Sequence, residues 1–301
     1  MIHLFEQDFV GYAFLCGSLI AILAAIVGYF VVLRGQAFAA HLLAVVGFPG
    51  WIGAVLLGIS GLIGVVGATL GTGLLVAVLE ERIAKRDVDI GMILAFVLGL
   101  GVLFMHIHSG DANQAANILF GSILSVTTQD VMVVVVLGLV ALAALAALAV
   151  LFRPLLFVSV DPEMARARGV PVRLIGVAFL LVLAITVAEA AQVVGILLIF
   201  ALLIAPPAIA RHVLRRPLAV IALAIGLGLA FTWGGLILAV LTPYPVSFYI
   251  TALAGSSYLI VVNLSHKLRP HAFHEPAHPD REFVDHPGHQ HAHPHHHHHH
   301  H

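Results

Sequence analysis

Histidine and carboxylate side chains carry most of the chemistry this sequence offers, and they fall in three places. His106, His108 and Asp111 form a His-x-His-x-x-Asp cluster whose nitrogen and oxygen donors could converge on a divalent metal. From His271 onward the chain holds 14 of its 20 histidines, and imidazole-rich tracts bind zinc, nickel or copper. The last six read as an expression tag. The spaced histidines, His271, His274, His278, His286, His289, His291 and His293, read as a native metal-buffering tail. Glu189 is the third feature, a single acidic residue deep in apolar sequence. A carboxylate in that setting is expensive and marks a functional cavity. Here it is expected to attract or coordinate a cation near an outer mouth, with Gln192 one turn on.

The elements that position these groups must be membrane helices. Hydrophobic residues make up 61% of the 301, charged residues 10%, and mean hydropathy is +1.07, too few charges to cover a soluble protein. Segments 12–33, 131–152, 174–188 and 218–241 are nearly free of charge, and about 20 such residues cross a bilayer core. Inside lipid each backbone N–H and C=O needs a local partner, so these runs are helical. Even Val133–Val136, strand-like in water, is expected to follow. A barrel would show two-residue alternation, which is absent. The expected fold is an all-α polytopic bundle of about nine spans (eight to nine), near 11–33, 41–59, 61–79, 90–108, 130–152, 173–188, 190–210, 217–241 and 246–265. The sixth and seventh join around Glu189. Gly67-x-x-x-Gly71 is expected to give a close-approach helix face.

Basic residues fix the orientation, because they stay on the cytoplasmic side. With the N-terminus outside and the C-terminus cytoplasmic, all 14 Lys and Arg fall inside. Glu6 and Asp8 precede the first span where a signal peptide would be positive. Cys16 is the sole cysteine and gives no disulfide framework. Residues 1–268 form the transmembrane domain, and 269–301 a His-rich cytoplasmic tail that cannot bury a core. His212 and His266, at inner helix ends, read as interface residues. Segment 112–130 is only moderately apolar and reads as an interfacial or re-entrant helix.

An inner segment, RPLLFVSVDPEMARARGVPVR at 153–173, carries a short helix with its own caps. Asp161 is a plausible N-cap, Pro162 suits the first helical position, and Glu163 complements the positive end. Arg166 lies in the last turn, Gly169 is placed to end the helix, and Pro171 follows. This helix is either a solvated loop or a docking element for a cytoplasmic partner. The chain holds no G-x-x-x-x-G-K-[ST] loop, since neither Lys85 nor Lys267 sits in that context. No nucleophile–base or hydrolytic metal constellation occurs either. The chain reads as a transport subunit, not an enzyme, driven by a separate ATPase.

The sequence resembles the permease subunit of the metal-importing ABC transporters, the group that takes up zinc and manganese. The resemblance runs over about 11–268 and is carried by VVLRGQAFAAHLLAVVGFPG at 31–50, SVDPEMARARGV at 159–170 and AEAAQVVGILLIFALLIAPPAIA at 188–210. It implies that the helix at 161–169 docks into a cytoplasmic ATP-binding subunit. It also implies that a second copy of the chain completes a central path, and that a periplasmic solute-binding protein delivers the ion. Relatives commonly carry an Asp or His, then a His four residues on, along the stretch equivalent to 41–45. Four apart means one helix face. Here the pair is His41 and Val45, so one expected ligand is missing, although two copies could bring two His41 together. Neutral imidazole holds zinc at about 2.0–2.1 Å.

The resulting expectation is an inner-membrane, multi-pass permease for an ATP-driven importer of Zn2+ first and Mn2+ second, embedded in membrane lipid, with no permanently bound cofactor and no nucleic-acid partner. His41, Glu189, His106, His108 and Asp111 are its candidate metal ligands, held weakly enough for the ion to leave. Rivals are a permease for a metal chelate or vitamin, a proton-coupled carrier acting without an ATPase, and a membrane scaffold that only senses metal through its tail.

Overall fold

The computed structural model describes residues 8–83, 87–108 and 131–268. Among them the secondary structure is entirely helical. The helices are α1 (Asp8–Leu33), α2 (Ala37–Leu56), α3 (Gly61–Ile83), α4 (Asp87–Ile107), α5 (Val131–Val160), α6 (Pro162–Ala167), α7 (Val172–Val194), α8 (Ile196–Val213), α9 (Pro217–Leu241) and α10 (Val246–Leu268). Eight of them are long and apolar enough to cross a membrane. At 26 residues, α1 reaches about 39 Å, beyond the roughly 30 Å of a hydrocarbon core. The ninth apolar helix, α8, has 18 residues and reaches only about 27 Å. The eight-to-nine-span helical bundle is therefore what the chain adopts. Segment 112–130, Asp111 and the tail histidines lie outside the described residues.

Burial divides the bundle into a core and a rim. Two thirds of the most apolar stretch of α1, α2 and α7 is buried, against 11% for α4 and 17% for α5. Polar solvent cannot account for such apolar rim faces, so they meet lipid or another subunit. α1 packs on α5, α7, α8 and α9, while α2 packs on α3, α4, α7 and α8. Phe30 is the hub of the α1–α5–α7 junction. Its ring meets Phe152 edge-on at 5.5 Å and Phe179 at 6.1 Å, spacings favoured by aromatic quadrupoles.

Small residues set a tight crossing between α2 and α3. A side chain on Gly50 would strike Ala68 and the Gly64 carbonyl, and one on Gly64 would strike Gly50 and Ala54. This is the small-residue packing used where lipid supplies no hydrophobic drive. The close approach expected at Gly67 and Gly71 is not there, because both face open space within the chain. Spacing marks a helix as able to pack closely, and the partner decides which of its glycines is used.

The sixth and seventh spans divide at a different residue from the one expected. Glu189 does not interrupt the helix; α7 runs five residues further, to Val194, and is capped by Gly195. There φ is +88° and ψ 158°, a conformation open to glycine and costly for other residues. α8 starts on the next residue. A polar side chain is a weak helix terminator, whereas a backbone that leaves helical dihedrals is a decisive one.

Candidate metal path

α2, α7 and α8 pack against one another, and two of these helices carry the candidate residues His41 (α2) and Glu189 (α7). Ile196 of α8 sits beside Gly47 of α2, and Phe200, one turn further on α8, faces His41, six residues before Gly47. The two helices thus run antiparallel.

His41 is half-buried, and its ring lies 4.7 Å from that of Phe200 at an interplanar angle of 59°. Its Nδ1 is buried and has no hydrogen-bond partner. Four residues along, Val45 is 4% exposed and brings no side-chain donor. Its backbone carbonyl lacks a helical donor, because Pro49 inside α2 has no N–H. The polar atom left at position 45 is a carbonyl oxygen rather than an imidazole nitrogen.

Glu189 is 5% exposed, and neither of its carboxyl oxygens has a hydrogen-bond partner. Its neighbours along α7, Val187, Ala188 and Ala190, are buried and apolar. The nearest buried hydroxyl on that helix, Thr186, donates to the Val182 carbonyl at 2.8 Å. Thr69 and Thr232 likewise bond back into their own helices, at 2.7 and 2.8 Å. Buried polar atoms in proteins are paired as a rule. Among the described residues, His41 and Glu189 alone have buried side-chain nitrogen or oxygen atoms without a partner.

The remaining candidates are distributed elsewhere. His106 is exposed in the last turn of α4, and His108 follows it half-buried, its backbone N–H bonded to the Phe104 carbonyl at 2.9 Å. No three His, Cys, Asp or Glu residues converge among the described residues. His212 hydrogen-bonds through Nδ1 to the Ala208 carbonyl at 2.8 Å and stacks edge-on with Tyr258 of α10 at 6.2 Å. It is an exposed residue in the last turn of α8.

The short helix α6 is built as its residues suggest. Asp161 accepts a hydrogen bond from the Met164 N–H at 2.8 Å, with Pro162 in the first position and Glu163 in the first turn. At the other end the Val170 N–H donates to Ala165 and the Gly169 N–H to Arg166, each at 3.0 Å. With Gly169 at φ +77°, this is the paired bonding of a Schellman C-cap. Only Ala165 is buried; Asp161, Pro162, Glu163, Arg166 and Gly169 are exposed. α6 is a six-residue helix, locked at both ends, that presents its outer face to solvent.

Residues 6–265 match the model of the ABC 3 transport family. The chain belongs to that family. Among relatives of this ABC 3 protein, the manganese transport system membrane protein MntC of Halalkalibacterium halodurans is 28% identical over 266 residues, covering 88% of this chain and 90% of that protein. The manganese import system permease protein ScaB of Streptococcus parasanguinis is 32% identical over 206 residues, 68% of this chain and 72% of that one. The solved PsaBC from Streptococcus pneumoniae, in complex with Fab, superposes with a TM-score of 0.75 at 26% identity, over 87% of this chain and 95% of that chain. The eight apolar helices and this membership make the chain a multi-pass membrane permease of ABC transport.

Two features of the junction escaped the sequence reading. Phe200, the ring that fixes His41, lies far along the chain and carries no polar signal. Pro49 and the carbonyl it frees lie inside the quoted 31–50 segment, and a proline within an apolar helix was the signal available.

Proposed function

We propose that this ABC 3 permease imports a divalent transition metal, manganese ahead of zinc, along a path that passes His41 and Glu189. The observation that carries the proposal is the pair of unpartnered buried polar side chains, His41 on α2 and Glu189 on α7, two helices that pack together. Each is left unsatisfied by its own protein, and a passing cation supplies the missing partner. One nitrogen and two carboxyl oxygens make a mixed donor set; carboxylate and carbonyl oxygen suit manganese, while imidazole suits zinc. The two relatives described above, MntC and ScaB, are manganese systems, and that puts manganese first where the histidine tail alone favours zinc. Few donors per station fits transit, since a closed four-ligand cage would not release its ion.

The same reading places the N-terminus outside and the basic helix ends in the cytoplasm of a cell's inner membrane. α6 then faces a separate ATP-binding subunit, a second copy completes the path, and a periplasmic solute-binding protein supplies the ion. His106 and His108, at the end of α4, stand on that outer side. The test is radioactive manganese uptake by metal-importer-deficient cells expressing the chain with its ATP-binding subunit, with zinc as competitor. Manganese accumulation that zinc reduces only in excess supports the proposal. Accumulation of a metal chelate but not of either free ion would refute it.

A further inference from the structure

A groove on the rim of the bundle is lined by neither His41 nor Glu189. α5 and α9 each pack on α1 but scarcely on each other. The space left between them is about 670 Å³, lined by Ile26 of α1, Ala149 and Val150 of α5, and Leu218 of α9. That volume lies within the roughly 300–1,000 Å³ typical of ligand sites. Its apolar walls open outward: Val150 is 81% exposed and Leu218 71%. On a helix rim of this hydropathy, such an exposed apolar wall suits acyl chains.

Two polar groups break the apolar lining at one end. Arg153 lines the groove beside Pro154. Pro154, inside α5, has no N–H, so the Val150 carbonyl is without its helical donor. Such a carbonyl is costly at membrane depth unless something donates to it. Exposed Arg215 and Arg216 precede Leu218 at the start of α9 and add positive charge at the same end. A fitting ligand therefore combines an acyl chain, a phosphate and a hydroxyl donor. Basic pockets between membrane helices hold anionic headgroups in this manner. Phosphatidylethanolamine offers a donor as well, but it brings a second cation up to Arg153.

We propose that the α1–α5–α9 groove binds one anionic phospholipid of the phosphatidylglycerol kind, its phosphate on Arg153, its headgroup hydroxyl on the Val150 carbonyl and an acyl chain along Ala149 and Leu218. Native mass spectrometry of the full chain in non-ionic detergent tests this, with phosphatidylglycerol, phosphatidylethanolamine of equal chain length, and glycerol phosphate as probes. The expected result is one retained phosphatidylglycerol, on the order of tenfold favoured over phosphatidylethanolamine, as loss of one good charged contact implies, and no retained glycerol phosphate. Arg153→Gln and Ala149→Phe should each abolish that preference, and Arg153→Lys should keep most of it. Equal retention of the two lipids, seen on the unaltered chain, would overturn the proposal and leave only annular lipid. Glycerol phosphate binding as well as the lipid would overturn it in favour of a free anion. Dissociation of a dimer by Ala149→Phe, with no lipid held by the parent, would instead make the groove an interface between copies.

Discussion

Gly28 of α1 lies directly against the backbone carbonyl of Leu203 on α8. Pro207, four residues on, has no N–H to offer that carbonyl. Two core helices thus meet most closely at an unbonded acceptor, and only a residue without a side chain fits there. Backbone cannot step aside as a side-chain tip can. Gly28→Ala should destabilise the chain by about 3 kcal/mol, the upper end of overpacking costs. Thermal unfolding in detergent measures it, with Gly226→Ala, which meets nothing within 4 Å, expected to be neutral.

Glu189 bears an unpartnered buried carboxyl, which costs stability that a structural residue would not retain. Glu189→Leu should raise stability by roughly 1–3 kcal/mol, the cost of one unsatisfied buried group, while manganese uptake falls by at least about tenfold, the worth of one lost ligand. Unfolding and uptake measured on the same variant decide it. Lower stability with normal uptake would mean that the carboxyl has a structural partner.

His41 separates packing from ligation in another way. His41→Phe keeps an aromatic ring against Phe200 but removes the nitrogen, so folding should be preserved and uptake reduced about 10–100-fold, the usual range for disturbing a metal site. Phe200→Leu should leave the nitrogen but loosen its ring, with a smaller loss. Equal uptake by His41→Phe and the parent would remove His41 from the path.

The α6 caps lead to a prediction about coupling. Asp161→Ala removes the bond to the Met164 N–H and should cost the helix about 1 kcal/mol. Gly169→Val, forced to hold φ +77°, should cost about 1–3 kcal/mol. Both changes lie at an exposed turn, so the bundle should unfold at the parent's temperature. ATP hydrolysis by the assembled complex should nevertheless lose its dependence on transport. Normal coupling in both variants would make α6 an ordinary loop.

What could be read from the sequence follows the range of the forces involved. The spans were legible because lipid imposes one solution on any long apolar run, and α6 was legible because its caps lie within nine residues of one another. Asp161, Pro162 and Gly169 each act on neighbours in the chain. Gly195 was less legible, because Glu189 drew the boundary toward polarity and away from backbone geometry. Gly67 and Gly71 have the spacing of a packing face, yet Gly50 and Gly64 do the packing, a choice that needs the partner helix. His41 could be named from the family resemblance, but its ring contact with Phe200 exists only once α2 and α8 have met, and the missing partners of Glu189 only once α7 is packed in the bundle.

Manganese and zinc uptake into proteoliposomes tests the central claim most directly. The vesicles would hold the chain, with residues from 295 onward removed, with and without its ATP-binding subunit and ATP. The account predicts accumulation only with both subunit and ATP, manganese ahead of zinc, and loss of that accumulation in His41→Phe and in Glu189→Gln. Uptake without the ATPase, or full uptake by both variants, would contradict it.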